Sequence, residues 1–319
     1  MIQPIATFIT YSLFHLSGTT ASMVEFFIYD SIKILLLLYV MIGVIGFGRS
    51  YIDNAKLKKW MSGQNKLLSH TVAALFGAVT PFCSCSSIPI FLGMVKAQFP
   101  IGAAFSFMVT SPLINEYLVV LMFGFFGWKI TVFYVLSGLI LGIASGLIIG
   151  QMNPEKLIEK KYKEASELNE GQKFKTLKQR IKFGLSEAWE TVVYIWLWVI
   201  GAVAVGALIH NYVPDKLIKS MVGSMGAFSV PIATLLGVPM YGSCAAIVPI
   251  AMVLFEKGLP LGTAIAFMMG VAALSLPEAI ILKRVMKTRL IVIFFSVVSI
   301  GIMLSGYLLN WLQPLLVIH

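Results

Sequence analysis

The stretch TPFCSCSSIP, residues 80–89, puts two cysteines, four hydroxyls and two prolines in the middle of an otherwise apolar region. Proline removes a backbone donor and displaces the helical hydrogen bonds before it, so this segment reads as a break or a kink. What the break means depends on the solvent around it. Of the 319 residues, 58% are hydrophobic and only 12% charged, with a mean hydropathy of +0.89. A soluble domain carries about a quarter charged residues. Apolar runs at 32–47, 130–149, 192–209 and 290–309 approach or reach the roughly 20 residues needed to cross a bilayer core. The chain therefore reads as an all-α, multi-pass membrane protein. In lipid, irregular backbone must be enclosed by protein or line a cavity, so residues 80–89 mark a buried polar pocket.

A shift of about 160 residues lays the chain over itself. KLKKWMSG from Lys56 meets KLIKSMVG from Lys216, and Gly77 meets Gly237. IPIFLGMVKAQFPIGAAFSFM from Ile88 meets VPIAMVLFEKGLPLGTAIAFM from Val248, with Pro89 on Pro249 and Pro100 on Pro260. Ser145-Gly146 meets Ser305-Gly306 at the same shift. One offset shared by separated blocks that include prolines and lysines predicts an internal duplication.

Charge gives the sense of that duplication. The loop after the first strong span carries Arg49, Lys56, Lys58, Lys59 and Lys66, whereas its counterpart keeps only Lys216 and Lys219. At the other end the bias reverses: Lys129 stands alone against Lys283, Arg284, Lys287 and Arg289. Cytoplasmic loops collect lysine and arginine. Segments 49–66, 153–183 and 283–289 are thus expected inside, and 128 and 210–224 outside, which makes the repeat inverted. The expected division is an interfacial or extra helix at 1–22, a first repeat at 23–152, a basic cytoplasmic linker at 153–183 and a second, inverted repeat at 184–319. Within each half the parity of crossings fits a re-entrant hairpin (67–98 and 227–258) followed by a broken span (100–127 and 260–282). Three short crossings fit the parity as well.

The prolines at 81, 89, 112, 239, 249 and 277 are the expected helix breaks. Pro81, Pro89 and Pro112 serve the first half, and Pro239, Pro249 and Pro277 the second. Around them lie the candidate site residues. Cys83, Cys85 and Cys244 are soft donors suited to Cu(I), Zn(II) or trivalent arsenic and antimony, and small polar residues are also ordinary packing residues in membrane helices. Ser84, Ser86, Ser243 and Asn115 line the same breaks. Glu116 and Glu278 fall in corresponding breaks of the two halves. Intramembrane carboxylates are expensive and default to a functional role, here proton coupling or substrate contact, with helix capping as the structural alternative.

Several classes are disfavoured. There is no phosphate-cradling glycine loop, no Ser–His–Asp or HExxH pattern and no paired CxxC motif, and the four histidines form no cluster. No catalytic residue, metal or cofactor is assigned. The formal charge of +10 reads as topology signal, with lipid rather than nucleic acid as the partner. No lysine or arginine precedes Lys33, so the start of this sequence lacks the basic region of a secretory signal.

TPFCSCSSIPIFLGMVKAQFPIGAAFSFMVTSPLINE closely resembles the signature region of the YraQ-type predicted permeases, a family that includes the ArsP organoarsenical efflux permeases. GVPMYGSCAAIVPIAMVLFEKGLPLGTAIAFMMGVAALSLPE resembles the second block of that family. The resemblance covers the whole chain. It implies a permease of a bacterial or archaeal plasma membrane, not an enzyme. For ArsP-like members it implies export of trivalent organoarsenicals, with Cys83, Cys85 and Cys244 as proposed ligands. The expected function is secondary-active export of a small soft-electrophile solute at a midplane site. Alternatives are a permease for a sulfur-containing or other small anion, a membrane thiol-redox enzyme using the Cys-x-Cys stretch, and a non-transporting partner subunit. Homo-oligomerisation stays open.

Overall fold

A computed structural model describes residues 3, 7–13, 18–51, 65–80, 84–97, 99–152, 154–158, 176–212, 226–239, 244–256, 258–283 and 285–316. Eleven α-helices are seen among them. They are α1 (Thr19–Arg49), α2 (Lys66–Val79), α3 (Ser84–Lys96), α4 (Ile101–Leu113), α5 (Glu116–Gln151), α6 (Leu177–Tyr212), α7 (Ser229–Gly237), α8 (Cys244–Glu256), α9 (Leu261–Ala273), α10 (Leu276–Leu282) and α11 (Thr288–Leu316). A π-helical turn at Phe8–Leu13 precedes α1, which starts at Thr19, ahead of the expected repeat boundary at 23. The side chain of Thr7 ties that turn to α1 by donating to Glu25 Oε1 at 2.7 Å. No strand occurs among the described residues, only one isolated bridge.

Apolar patterning dictates the layering. A helix that is hydrophobic all round is stable only when surrounded by protein or lipid. In α4 every residue from Gly102 to Leu113 is buried, and α9 is buried along its whole length. The two touch each other at the centre. Each has 13 residues, a rise of about 20 Å, which falls short of a hydrocarbon core of about 30 Å. They are half-helices enclosed by longer ones. Among the described residues, Leu118–Gln151, Leu261–Leu282 and Thr288–Leu315 are long and apolar enough to cross a membrane.

The helices recur at one offset. A shift of 160 residues, from 84 to 244, carries the bounds of α3 onto α8, those of α4 onto α9, and the start of α5 onto the start of α10. Close contacts recur with them. A Cβ on Gly77 would stand 2.9 Å from the Phe107 carbonyl oxygen, and one on Gly237 2.9 Å from that of Phe267, its equivalent. The Gly102–Gly146 approach in the first half has its counterpart in Gly262–Gly306. Glycine lets two backbones touch in this way. The halves differ at one corner. Helix α5 turns sharply at Gly127 (φ 77°, ψ 172°), a conformation costly for any residue with a Cβ. Its counterpart is Lys287, and there the chain opens into a short loop between α10 and α11 instead.

Cross-contacts fix how elements run. Arg180, at the start of α6, donates to the carbonyl oxygen of Ser50 just past the end of α1 and covers the Tyr51 ring at 4.1 Å. Further along, a Cβ on Gly184 would lie 2.9 Å from the Phe47 nitrogen, and Gly43 faces Ala188. Helices α1 and α6 are therefore antiparallel. The amide of Lys287 donates to Leu157 O at 2.8 Å, beside an antiparallel bridge between Ile158 and Met286. The chain leaving α5 thus meets the chain entering α11. These two helices cross where Leu141 packs on Gly301, equivalent positions of the two halves.

Candidate functional site

Each half brings two interruptions together. Helix α2 ends at Val79 with Thr80 extended, and α3 begins at Ser84. Nearby, α4 ends at Leu113, with Ile114 at φ −112°, ψ 69°, before α5 starts. In the second half, Leu274 takes up φ −137°, ψ 67° at the equivalent place. There the amide of Leu276 donates to Val238 O at 3.0 Å, joining the α9–α10 break to the end of α7. Freed backbone groups at such depth must find protein partners. Leu113 O finds one in the buried Tyr134 hydroxyl, which donates to it at 2.5 Å.

The proline expectations divide. Pro277 occupies the first turn of α10, and Pro239 follows the end of α7. Pro112 lies inside α4, one residue before its end. Pro89 and Pro249 do not break their helices: α3 runs through Pro89, and Pro249 falls within Cys244–Glu256. The reason is position. A proline at the sixth residue of a helix removes only one interior bond, to the carbonyl four residues earlier. That leaves the carbonyls of Cys85 and Ala245, in the first turns of α3 and α8, without their usual helical donor. Pro81, Cys83 and Ser243 lie outside the described residues, as do the side chains of Ser84, Cys85, Ser86 and Cys244. The structure brings the backbone of Cys85 and Cys244 to the first turns of equivalent half-helices. Asn115 is half-buried in the break between α4 and α5.

The two carboxylates part company. Glu116 is the first residue of α5 and is exposed. Glu278 is 1% exposed, and neither of its carboxyl oxygens has a hydrogen-bond partner among the described residues. They share equivalent breaks without sharing a position. Leu276 stands where Glu116 does in the first half, and the buried Leu118 answers Glu278. Ser-x-x-Glu at 275–278 has the pattern of a reciprocal cap. Only half of it forms: Ser275 Oγ accepts from the Glu278 amide at 3.2 Å, and the carboxylate does not return the bond. Capping therefore does not account for Glu278. Helix α10 packs against α6 and against α3, so Glu278 rides on a second-half helix seated beside the one that carries Cys85.

Features not anticipated from sequence surround this centre. Gly138, Gly142, Gly146 and Gly150 recur every fourth residue along α5, and Thr110, Ser106 and Gly102 of α4 sit on the last three. A run of glycines at that interval is a legible sign of close helix packing. His70 on α2 is buried at the foot of this seam, with Nδ1 2.7 Å from Lys66 O and Nε2 without a hydrogen-bond partner among the described residues. In the second half the same foot is polar. Asn310 Oδ1 accepts from the Gly262 amide at 2.7 Å, and Gln313 Oε1 from Leu261 at 2.9 Å. Ser229 and Thr263 hydroxyls meet at 3.0 Å.

Known proteins resemble this chain over much of its length. UPF0718 protein MJ0584 of Methanocaldococcus jannaschii is 21% identical, over 90% of this chain and 93% of that protein. UPF0718 protein YraQ of Escherichia coli is 24% identical, over 76% of this chain and 68% of its own. A putative two-component membrane permease complex subunit of Streptococcus mutans is 25% identical, over 61% and 65% respectively. No solved structure matches. The model of the ArsP_1 family, described as predicted permease, matches residues 19–311. The chain belongs to that family of predicted permeases.

Proposed function

We propose that this chain is a secondary-active permease that exports a small soft-electrophile solute, with trivalent organoarsenicals first among the candidates. One observation carries the reading: a carboxyl group buried at a helix break in the core, with neither oxygen bonded among the described residues. Such a group is stable in lipid surroundings only if it is protonated or paired. A carrier that takes up and releases one proton per cycle has a use for it. Glu278 is the coupling residue in this reading, while the exposed Glu116 answers the N-terminal dipole of α5.

The halves work as inverted units that alternately expose the paired breaks to either side. Support comes from the antiparallel α1–α6 pair, from the crossing of α5 and α11 at equivalent residues, and from the contact of Leu157 and Ile158, past the end of α5, with Met286 and Lys287, before the start of α11. The re-entrant reading of α2 and α3 has similar support. The foot of α2 at His70 and the foot of α4 at Gly102 both meet Gly150, at the end of α5. Helices α2 and α3 therefore leave and return to one side, which is cytoplasmic by its lysines and arginines.

Cys83 and Cys85 hold the solute, with Cys244 approaching from the other half and Ser84, Ser86, Ser243 and Asn115 lining the passage. An organoarsenical with two hydroxyls exchanges each for a thiolate: an As–S bond replaces an As–O bond, and the thiol proton leaves with the hydroxide as water. A bacterial or archaeal plasma membrane is the setting, and a companion subunit is consistent with the name of the Streptococcus mutans relative. Everted vesicles bearing the full chain test this directly. Methylarsenite is expected to accumulate inside them when a pH gradient is imposed and not when it is dissipated. Cys83→Ser and Cys85→Ser, each alone, are expected to abolish accumulation and to remove methylarsenite resistance from a sensitive bacterium. Full resistance in both variants would end the thiol-ligand reading.

A further inference from the structure

We propose that the seam between α2, α4 and α5 is a proton entry route. In it His70, Ser106 and Thr110 hold a file of water, from the foot of the first half to the α4–α5 break, when α4 and α5 part. The route rests on the permease reading above, since it supplies the proton which that reading couples to transport.

The chain spaces these groups along one line. Ser106 and Thr110 lie four residues apart on α4, which puts them on one helix face about 6 Å from each other. Each polar tip sits in a glycine notch. A Cβ on Gly142 would fall on Thr110 Oγ1, one on Gly146 would fall on Ser106 Oγ, and one on Gly102 would stand 2.7 Å from His70 Nε2. His70 is 6% exposed, and Ser106 and Thr110 are 0% exposed. None of the three atoms has a hydrogen-bond partner among the described residues. The imidazole is oriented as well. Lys66 O, 2.7 Å from Nδ1, can only accept, so Nδ1 carries the hydrogen and Nε2 turns a bare lone pair toward the seam. At the other end the line reaches the break, where the amide of Ile114 donates to Thr110 O at 2.8 Å.

Close packing does not require these groups, because the second half closes the same seam without them. At the shift of 160, Val230, Ala266 and Gly270 stand for His70, Ser106 and Thr110. The side chains of Val230 and Ala266 close on Gly306, the counterpart of Gly146, and the buried Ile302 takes the place of Gly142. The polar groups at the foot of that half are bonded: Asn310 to Gly262 and Thr263, and Ser229 to Thr263. A buried polar atom without a partner lowers stability, and native structures hold few of them. Three on one line, in one half alone, have their use in another state of the protein. When α4 and α5 part, a single water between Ser106 and Thr110 joins them, since two bonds of about 2.8 Å span roughly 6 Å. His70 Nε2 holds the arriving proton at the mouth, and the water beside the two hydroxyls relays it inward. Around that mouth the titratable groups are Lys66 on α2 and Glu155 and Lys156 on the turn after α5. Helix α4 has none, and α5 has none beyond Tyr134.

Silver ion, close to water in size, reads access to the seam without knowledge of the natural solute. The full chain with Cys83, Cys85 and Cys244 each changed to serine receives one thiol, by Ser106→Cys, Thr110→Cys or Ala266→Cys. Ag+ forms a bond to sulfur and displaces the thiol proton into water. Thiols still free are then counted by mass, after unfolding and treatment with N-ethylmaleimide. Protection at 106 and 110 is expected to be faster than at 266 by about tenfold or more, as a seam that opens exceeds one that stays shut. Ala266 is the equivalent of Ser106 and is buried to the same degree. In the otherwise unaltered chain, Ser106→Ala installs the residue that the second half already has. It is expected to lower methylarsenite uptake into everted vesicles under a pH gradient by about tenfold or more. The midpoint of thermal unfolding in detergent should stay level or rise, because an unpartnered hydroxyl has been removed. Thr110→Val should behave alike.

Equal protection at 106, 110 and 266, or none at 106 and 110, overturns the entry of water into the seam. Full uptake in both Ser106→Ala and Thr110→Val overturns the relay. A lowered unfolding midpoint in both makes the hydroxyls packing groups and overturns it too. If Ser106→Cys fails to fold, Thr110→Cys decides alone. Silver access needs no transport, so the two levels separate. Protection at 106 and 110 without uptake by the unsubstituted chain rejects the permease reading and keeps the water file, and uptake without that protection does the reverse.

Discussion

Glu278→Gln is expected to lower transport driven by a pH gradient by about 100-fold or more, the lower end of what a positioned proton-transfer group contributes to a reaction. Glutamine keeps the size of the carboxyl and cannot exchange a proton. Glu116→Gln, at the exposed start of α5, leaves transport close to its original rate. Initial rates of methylarsenite uptake into everted vesicles, with expression matched, check both. A second substitution separates function from folding more sharply. Glu278→Leu places in the second half the residue that the first half already has, since Leu118 is the buried equivalent. It removes two buried oxygens that have no partners. An unsatisfied buried polar group costs about 1–3 kcal/mol. The variant should therefore unfold at a higher temperature in detergent while losing all coupled transport. A residue that lowers stability and is needed for activity is what a working site requires. Thermal unfolding that is unchanged or lowered in Glu278→Leu would contradict this account of the carboxyl.

Gly262→Ala has the largest expected effect on stability. The added methyl would fall on the carbonyl oxygen of Gly306 and within 2.8 Å of the Asn310 nitrogen. Both are backbone atoms of α11, so no side chain can swing aside. Helices α9 and α11 must separate, and the N-terminal bonds that Asn310 and Gln313 accept from α9 separate with them. Overpacking costs about 1–3 kcal/mol and occasionally more, and with backbone on both sides the upper end is expected here, enough to deplete the monodisperse folded species. Gly48→Ala is the control. Nothing lies within 4 Å of its Cβ position, and replacing a helical glycine there gains about 0.5 kcal/mol. Size-exclusion profiles and thermal unfolding in detergent distinguish the two.

Much of the fold was legible because hydrophobic spans and an internal repeat are linear properties of a chain. The apolar runs at 32–47, 130–149, 192–209 and 290–309 lie within α1, α5, α6 and α11. The offset that relates Pro89 to Pro249 reproduces the bounds of α3 and α8. Those same prolines were misleading as punctuation, because their effect depends on how far into a helix they fall. The difference between Glu116 and Glu278 was hidden for a related reason. Both follow a break by a few residues, and a shift of two positions on a helix turns a side chain through more than half a circle. That shift separates an exposed carboxylate from a buried one. Glycines at 138, 142, 146 and 150 mark a groove on one helix face, but their spacing alone does not say which helix fills it. Cys83, Ser243 and Pro81 fall outside the described residues, and the roles given to them rest on chemistry and repeat position.

The ties at the two ends of the linker bear on how such a protein can be encoded. On one side of residues 159–175 stand the Leu157–Lys287 bond and the Ile158–Met286 bridge. On the other, Arg180 clasps Ser50 and Tyr51. Each tie joins a residue inside the 153–183 linker to one half, Leu157 and Ile158 to the second and Arg180 to the first, so peptide continuity between the two ties is not what keeps the halves together. Two polypeptides, one ending and the other beginning within that interval, should find each other in the bilayer and co-purify. A single reading frame is then a convenience of supply, fixing equal numbers of the two halves, and a gene cut at this point could drift into a pair of dissimilar subunits without passing through an inactive intermediate.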